Sequence, residues 1–199
     1  MNLLIVNDEI LTADTMRSDI HWEEYGVDQT KAAYDAQMGR DIIQSEAIDI
    51  LLCDIEMPGD NGLKLLRWIR DSGYEIECIF LTCHADFLYA KEAIELGCHD
   101  YILLPADYDV IGKAVSKVAK RIREKRQDRQ YQQYGMLYLS EKFPLSKQDE
   151  EDKAGRIVQV VEEYIMDHIS DCKLSLGMIA EHVNFHPVYL NRLFRKEKE

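Results

Sequence analysis

The sequence has no run of apolar residues long enough to span a bilayer. Its opening, MNLLIVNDE, lacks the basic stretch, extended apolar segment and small-residue cleavage site of a secretory leader, so no membrane role is expected. No CxxC pair occurs among the five cysteines, Cys53, Cys78, Cys83, Cys98 and Cys172. Most of them sit in apolar surroundings, which suits a reducing cytoplasm better than a disulfide framework. Positive charge is scarce: 24 Lys and Arg stand against 37 Asp and Glu, for a formal charge of −13. That excludes a general nucleic-acid coat, because phosphate binding is led by Lys and Arg; any DNA contact needs a local basic face. Internal repeats and low-complexity tracts are absent too. What is present is ample apolar material, 46% of 199 residues, enough for one domain of ordinary size plus a smaller one.

Short β-branched or apolar runs recur at Asn2 to Val6, Ile48 to Cys53, Ile76 to Leu81 and Tyr101 to Leu104, with a weaker one near Val27 to Ala33. Stretches of helical periodicity lie between and after them, at Leu11 to Ile20, Ala36 to Ala47, Leu63 to Asp71, Phe87 to Leu96 and Val110 to Ile122. This alternation predicts an α/β fold, a doubly wound five-stranded parallel sheet with helices on both faces. The continuous apolar runs in DILLCD and ECIFLT fit strands buried on both sides. Gly97 follows the last apolar residue of its helix, where a left-handed terminating residue is expected. Ile111, Val115, Val118 and Ile122 are spaced for one stripe packing on the sheet; a short coiled-coil seam is the alternative.

In open parallel sheets, function gathers beyond the carboxyl ends of the strands. Those ends carry Asn7, Asp8 and Glu9, then Asp54, Thr82, and Leu104-Pro105. The first and third strands are neighbours in such sheets, so Asp8 and Asp54 face each other. Carboxylates sharing a cleft repel unless a cation joins them, and a hard divalent ion such as Mg²⁺ is the natural guest. A carboxylate beside such a metal can act as a nucleophile toward phosphorus. Asp54, held by the turn MPGDNG, is the candidate; the bland alternative is a loop-capping Asp. A haloacid-dehalogenase phosphatase would need a second Asp two residues on, where Glu56 stands. A flavin site would need a phosphate-cradling loop where the acidic NDEILTAD stands. The pairs Cys83-His84 and Cys98-His99 suggest zinc only weakly, since adjacent residues diverge in extended chain; Cys83 and Cys98 are expected as small core residues.

The segments LLIVNDE, LLCDIEMPGDNGLKLL and IFLTCHADFLYAKEAIELGCHDYILLPAD together resemble the receiver domain of two-component response regulators, over residues 1–122. The resemblance implies that Asp54 accepts a phosphoryl group from a sensor histidine kinase. It further implies that Asp8, Asp54 and the Glu56 carbonyl hold Mg²⁺, that Thr82 hydrogen-bonds the phosphoryl group, and that Tyr101 is the switch aromatic. The fourth helix, fifth strand and fifth helix would form the output surface. Two positions depart from the pattern. Leu104 stands where the family has a Lys that pairs with a phosphoryl oxygen, and Asn7 replaces the first acid. Both changes predict weak Mg²⁺ binding and impaired phosphoryl transfer.

Residues 123–153 read as a helical extension, continuing the charged run KRIREKRQDRQYQQY that begins at Lys120, and a polar linker, SKQDEEDK. Residues 154–199 read as a small all-α unit. A helix over Ile157 to Ile169 precedes a helix-turn-helix: Ser175 as N-cap, an apolar face of Leu176, Ile179, Ala180 and Val183, a turn at NFH, and Pro187 opening a second helix with Leu190, Leu193 and Phe194 inward. Val188, Asn191, Arg192, Arg195 and Lys196 form its outward face, chemically suited to DNA. LSLGMIAEHV and YLNRLFRKE resemble the first half of an AraC-type DNA-binding domain over about residues 156–198. By that likeness Val188, Asn191 and Arg192 face the major groove, and Arg195 and Lys196 meet phosphate. That family has two such units, so one alone predicts weak, salt-sensitive binding unless the chain forms a homodimer. The expected function is a cytoplasmic, non-enzymatic response regulator controlling transcription. The alternative is an interaction module, independent of phosphorylation or truncated, that dimerises with or titrates partners without useful DNA binding.

Overall fold

The computed structural model describes residues 1–142, 153–169, 174–183, 185, 187, 190 and 191, and of these the side chains of 131–142, 153 and 154 are left out. The chain divides into two compact units, Met1–Ile122 and Arg123–Glu199. In the first, β1 (Asn2–Val6), β2 (Gln29–Ala33), β3 (Ile50–Asp54), β4 (Glu77–Thr82) and β5 (Asp100–Leu103) form one sheet in the order β2-β1-β3-β4-β5. All four pairings are parallel, with Val6 opposite Cys53, Asp54 opposite Leu81 and Thr82 opposite Leu103. The strand order reverses between β1 and β3, which places the ends of those two strands at the crevice where such sheets bind ligands.

Side-chain alternation along each strand divides the core into two layers. Leu4, Val6, Leu51, Cys53, Cys78 and Phe80 pack toward α2 (Ala36–Ser45), α3 (Gly62–Asp71) and α4 (Phe87–Glu95). Leu3, Ile5, Ile50, Leu52, Ile79 and Leu81 pack on the opposite face against α1 (Ile10–Asp19) and the first part of α5 (Tyr108–Lys142). There Ile111, Val115, Val118 and Ile122 are all buried on the sheet, as a single packing stripe requires and a coiled-coil seam does not. Gly97 has φ of 70°, the left-handed conformation expected after α4.

Asp35, Asn61 and Asp86 cap α2, α3 and α4 through side-chain oxygens that accept from Met38, Lys64 and Leu88 N–H. One expectation fails here: Cys83 is exposed rather than a core residue, because it lies past the end of β4 in the β4–α4 loop. Cys98 is partly buried against the α3–α4 layer.

In the second unit, α6 (Lys153–His168) and α7 (Leu176–His182) enclose a small core of Ile157, Val158, Val161, Ile179, Ala180, Val183, Phe185 and Leu190. Ser175 caps α7 by accepting from Met178 N–H. Leu176, expected on the inner face, is 45% exposed because it occupies the first turn, above the core. Tyr164 stacks against both His168 and His182, at 4.1 and 4.0 Å between ring centroids. Leu193 and Phe194 lie outside the described residues.

Candidate functional site

The site stands at the carboxyl ends of β1, β3 and β4. Asp54 closes β3, and its neighbours on the chain turn away through MPGDNG into α3. That turn is held by Gly62 N–H donating to the Ile55 carbonyl at 2.9 Å. Gly62 approaches the strand so closely that a β-carbon there would lie 2.2 Å from the Asp54 carbonyl oxygen. The position thus admits no side chain, which ties the first residue of α3 to the backbone of Asp54.

The Asp54 carboxylate is half-buried. Burial is the main cause that raises its pKa, to about 6, and the nearby Asp8 and Glu56 carboxylates push the same way. Backbone N–H groups of Glu56 and Ile55 oppose the rise; that of Glu56 donates to Oδ1 at 3.1 Å. Asn7 donates through Nδ2 to Asp54 Oδ2 at 3.3 Å. The Asn7 amide oxygen accepts from Glu9 N–H at 2.8 Å. The backbone of Glu9 thus takes the Asn7 amide oxygen, and the amide N–H₂ is what faces Asp54.

Asp8, Asp54 and Glu56 are therefore brought together, and none of the influences on Asp54 comes from a cationic group. The donor set fits a hard divalent cation: two carboxylates with the backbone carbonyl of Glu56, the balance made up by water. Among the described residues, no three His, Cys, Asp or Glu side chains are grouped to enclose a metal. A Mg²⁺ site of this kind does not need three, since Mg²⁺ retains several waters.

Thr82 and Tyr101 are also adjacent. Thr82, fully buried at the end of β4, accepts at Oγ1 from His84 N–H at 3.1 Å. The Tyr101 hydroxyl donates to the His84 carbonyl at 3.1 Å. Burial pushes the phenol upward, while a hydrogen bond with the Thr82 side chain lowers it. His84 Nδ1 in turn meets the Glu56 carboxylate. Sequence reasoning missed both Gly62 and His84. The first was legible only as part of DNG, and the second only as half of a Cys-His pair.

Leu104 continues from β5, with its N–H donating to the Thr82 carbonyl at 2.8 Å. Its side chain packs on the α1–α5 layer and lines an open hollow of about 560 Å³ with Leu11, Met16, Pro105, Tyr108 and Ile111. Apolar surface thus borders the site where an ammonium group was sought. Of the outward residues assigned to the C-terminal helix, Asn191 is helical and exposed, while Val188, Arg192, Arg195 and Lys196 lie outside the described residues. Among the described residues, no helix is long and apolar enough to cross a membrane.

Comparison with known proteins agrees with this geometry. The family model of the response regulator receiver domain matches residues 3–116. The chain is 31% identical over 124 residues to the transcriptional regulatory protein DltR of Streptococcus agalactiae serotype III, covering 62% of this chain and 53% of that protein. It is 30% identical over 132 residues to the TorCAD operon transcriptional regulatory protein TorR of Escherichia coli O157:H7, covering 66% and 56% respectively. The chain thus spans about half the length of these relatives. Among solved structures, the REC domain of AraT, a response regulator from Geobacillus stearothermophilus, matches with a TM-score of 0.57 and 28% identity, over 63% of this chain and 97% of that one. The receiver domain of the Francisella response regulator 1452 matches with a TM-score of 0.55 and 25% identity, over 61% and 98%.

Proposed function

The chain belongs to the response regulator receiver domain family, and from that premise we propose that it is an atypical two-component response regulator that controls transcription. The observation that carries this reading is the Asp54 carboxylate, half-buried at the end of the central strand beside Asp8 and raised to about 6. A Mg²⁺ ion held by Asp8, Asp54 and the Glu56 carbonyl would neutralise the cleft and the incoming phosphoryl oxygens. One Asp54 oxygen attacks phosphorus, the bond to the leaving group on the kinase histidine breaks, and an acyl phosphate results. In this reading the Thr82 hydroxyl and the Asn7 amide donate to phosphoryl oxygens. Leu104 contributes none, so transfer is slow.

Incubation with acetyl phosphate and Mg²⁺, followed by intact mass, tests the reading. The expected result is gradual, incomplete addition of one phosphoryl group, absent in Asp54→Asn. Rapid and near-complete labelling would contradict the impaired site.

For output, Val188, Asn191 and Arg192 are assigned to base edges, Arg195 and Lys196 to phosphates, and the protein to a homodimer. Exposed Asn191 next to buried Leu190 supports that orientation. A gel shift on the regulator's own promoter DNA at low salt is expected to weaken about tenfold or more with Arg192→Ala. Retained dimerisation with no shift at low salt would favour the second reading, a docking or titrating module.

A further inference from the structure

The contacts around His84 form a continuous path from Asp54 to Thr82 and Tyr101. Glu56 N–H donates to the Asp54 carboxylate at 3.1 Å. The Glu56 side chain meets His84 Nδ1. His84 then reaches both members of the switch pair through its backbone, its N–H donating to Thr82 Oγ1 and its carbonyl accepting from Tyr101, each at 3.1 Å. Glu56 belongs to the loop after β3 and His84 to the loop after β4, so one side-chain contact joins two loops that the sheet leaves separate. The sequence places this His two residues beyond Thr82 and this Glu two beyond Asp54.

We infer that His84 is a positioning residue: by bridging to Glu56 it fixes the carbonyl that accepts from the Tyr101 hydroxyl, and so favours the rotamer that keeps Tyr101 against the β4–α4 loop (inward) over one turned to solvent (outward). This rests on the reading of Thr82 and Tyr101 as the switch pair, and it deepens that reading. With Leu104 offering no ammonium to join phosphate to the β4–β5 side, the bridge supplies a link between the acceptor loop and the switch that does not pass through phosphate. The His84 and Glu56 side chains are 64% and 39% exposed, so the bridge biases a population rather than locking it. A bias of this kind corresponds to a change of roughly two- to fivefold in the ratio of inward to outward Tyr101.

The test uses the full chain carrying 3-fluorotyrosine, in buffer free of Mg²⁺ and of any phosphoryl donor, with Tyr101→Phe assigning the Tyr101 fluorine resonance. In His84→Ala the Tyr101 signal is expected to shift toward the solvent-exposed position, with the outward population rising about threefold. Glu56→Ala breaks the same link from the other side and is expected to give the same shift. His84→Asn places an amide N–H₂ where Nδ1 stands, and is expected to restore the wild-type spectrum. A His84→Ala spectrum that superimposes on wild type, or a His84→Asn spectrum as disturbed as His84→Ala, would overturn the inference. Since no phosphoryl donor is present, these outcomes are independent of whether Asp54 can be labelled, which the acetyl phosphate experiment decides separately.

Discussion

Replacing Leu104 with Lys is expected to speed phosphorylation of Asp54 by acetyl phosphate at least about tenfold, measured as the initial rate of mass gain in Mg²⁺. Leu104 leaves β5 directly beside Thr82, to whose carbonyl its N–H is bonded. Its side chain is only partly buried, against the core between the sheet, α1 and α5. The aliphatic stem of a lysine can occupy the same apolar surface while the ammonium extends toward the cleft. There it would meet a carboxylate raised by burial and by two acidic neighbours, with no cation among its partners. A charge-assisted hydrogen bond to the developing phosphoryl oxygens contributes about 1.5–3 kcal/mol, a factor of roughly ten to one hundred and fifty in rate. Leu104→Met, which fills the hollow without a donor, is expected to leave the rate unchanged. Equal rates for the Lys variant and wild type would mean that the missing ammonium is not what limits transfer.

Gly62→Ala is expected to destabilise the protein by about 2–3 kcal/mol, measured by urea denaturation. The added carbon would meet the Asp54 carbonyl oxygen at 2.2 Å and Cys53 Sγ at 3.0 Å. The first of these is backbone, so relief requires moving β3 or the start of α3. Both movements disturb the bond from Gly62 N–H to the Ile55 carbonyl that closes the acceptor turn. Labelling at Asp54 should therefore fall along with stability. A fully stable variant with normal labelling would show that α3 can withdraw from the strand at little cost.

The sheet and the two core layers on its faces are legible because the central strands carry apolar residues on both alternations, and α2, α3 and the first part of α5 each carry one apolar stripe. Asp8, Asp54 and Thr82 were legible because strand ends are the positions where a parallel sheet exposes its chemistry. The amide orientation of Asn7 was not: it is set by the N–H of Glu9, a bond that depends on the turn after β1. Cys83 looks like core by composition, yet the chain has already left the sheet at that point. His84 drew notice only for its neighbour. Its contact with Glu56 spans two loops distant in sequence, a relation that no local pattern encodes. Gly62 resembles any residue after a capping Asn until the closeness of α3 to β3 is known.

A desolvated Asp54 carboxylate that shares a cation pocket with Asp8 is the centre of the proposed function. The folded protein holds this carboxyl at about 6, above the value of about 4 for an unfolded Asp. Its proton therefore favours the folded state: the contribution is fully present below about pH 4 and is lost as pH rises through about 6. Thermal melting of wild type and Asp54→Asn from pH 4 to pH 8, with and without Mg²⁺, is the most direct measurement. Without Mg²⁺, wild type is expected to lose stability relative to Asp54→Asn across that range, by about 1 kcal/mol once solvent screening of a half-exposed group is allowed for. Mg²⁺ at pH 8 should recover the loss in wild type and leave Asp54→Asn unmoved. Parallel curves for the two proteins, with the same response to Mg²⁺, would contradict a common pocket at positions 8 and 54.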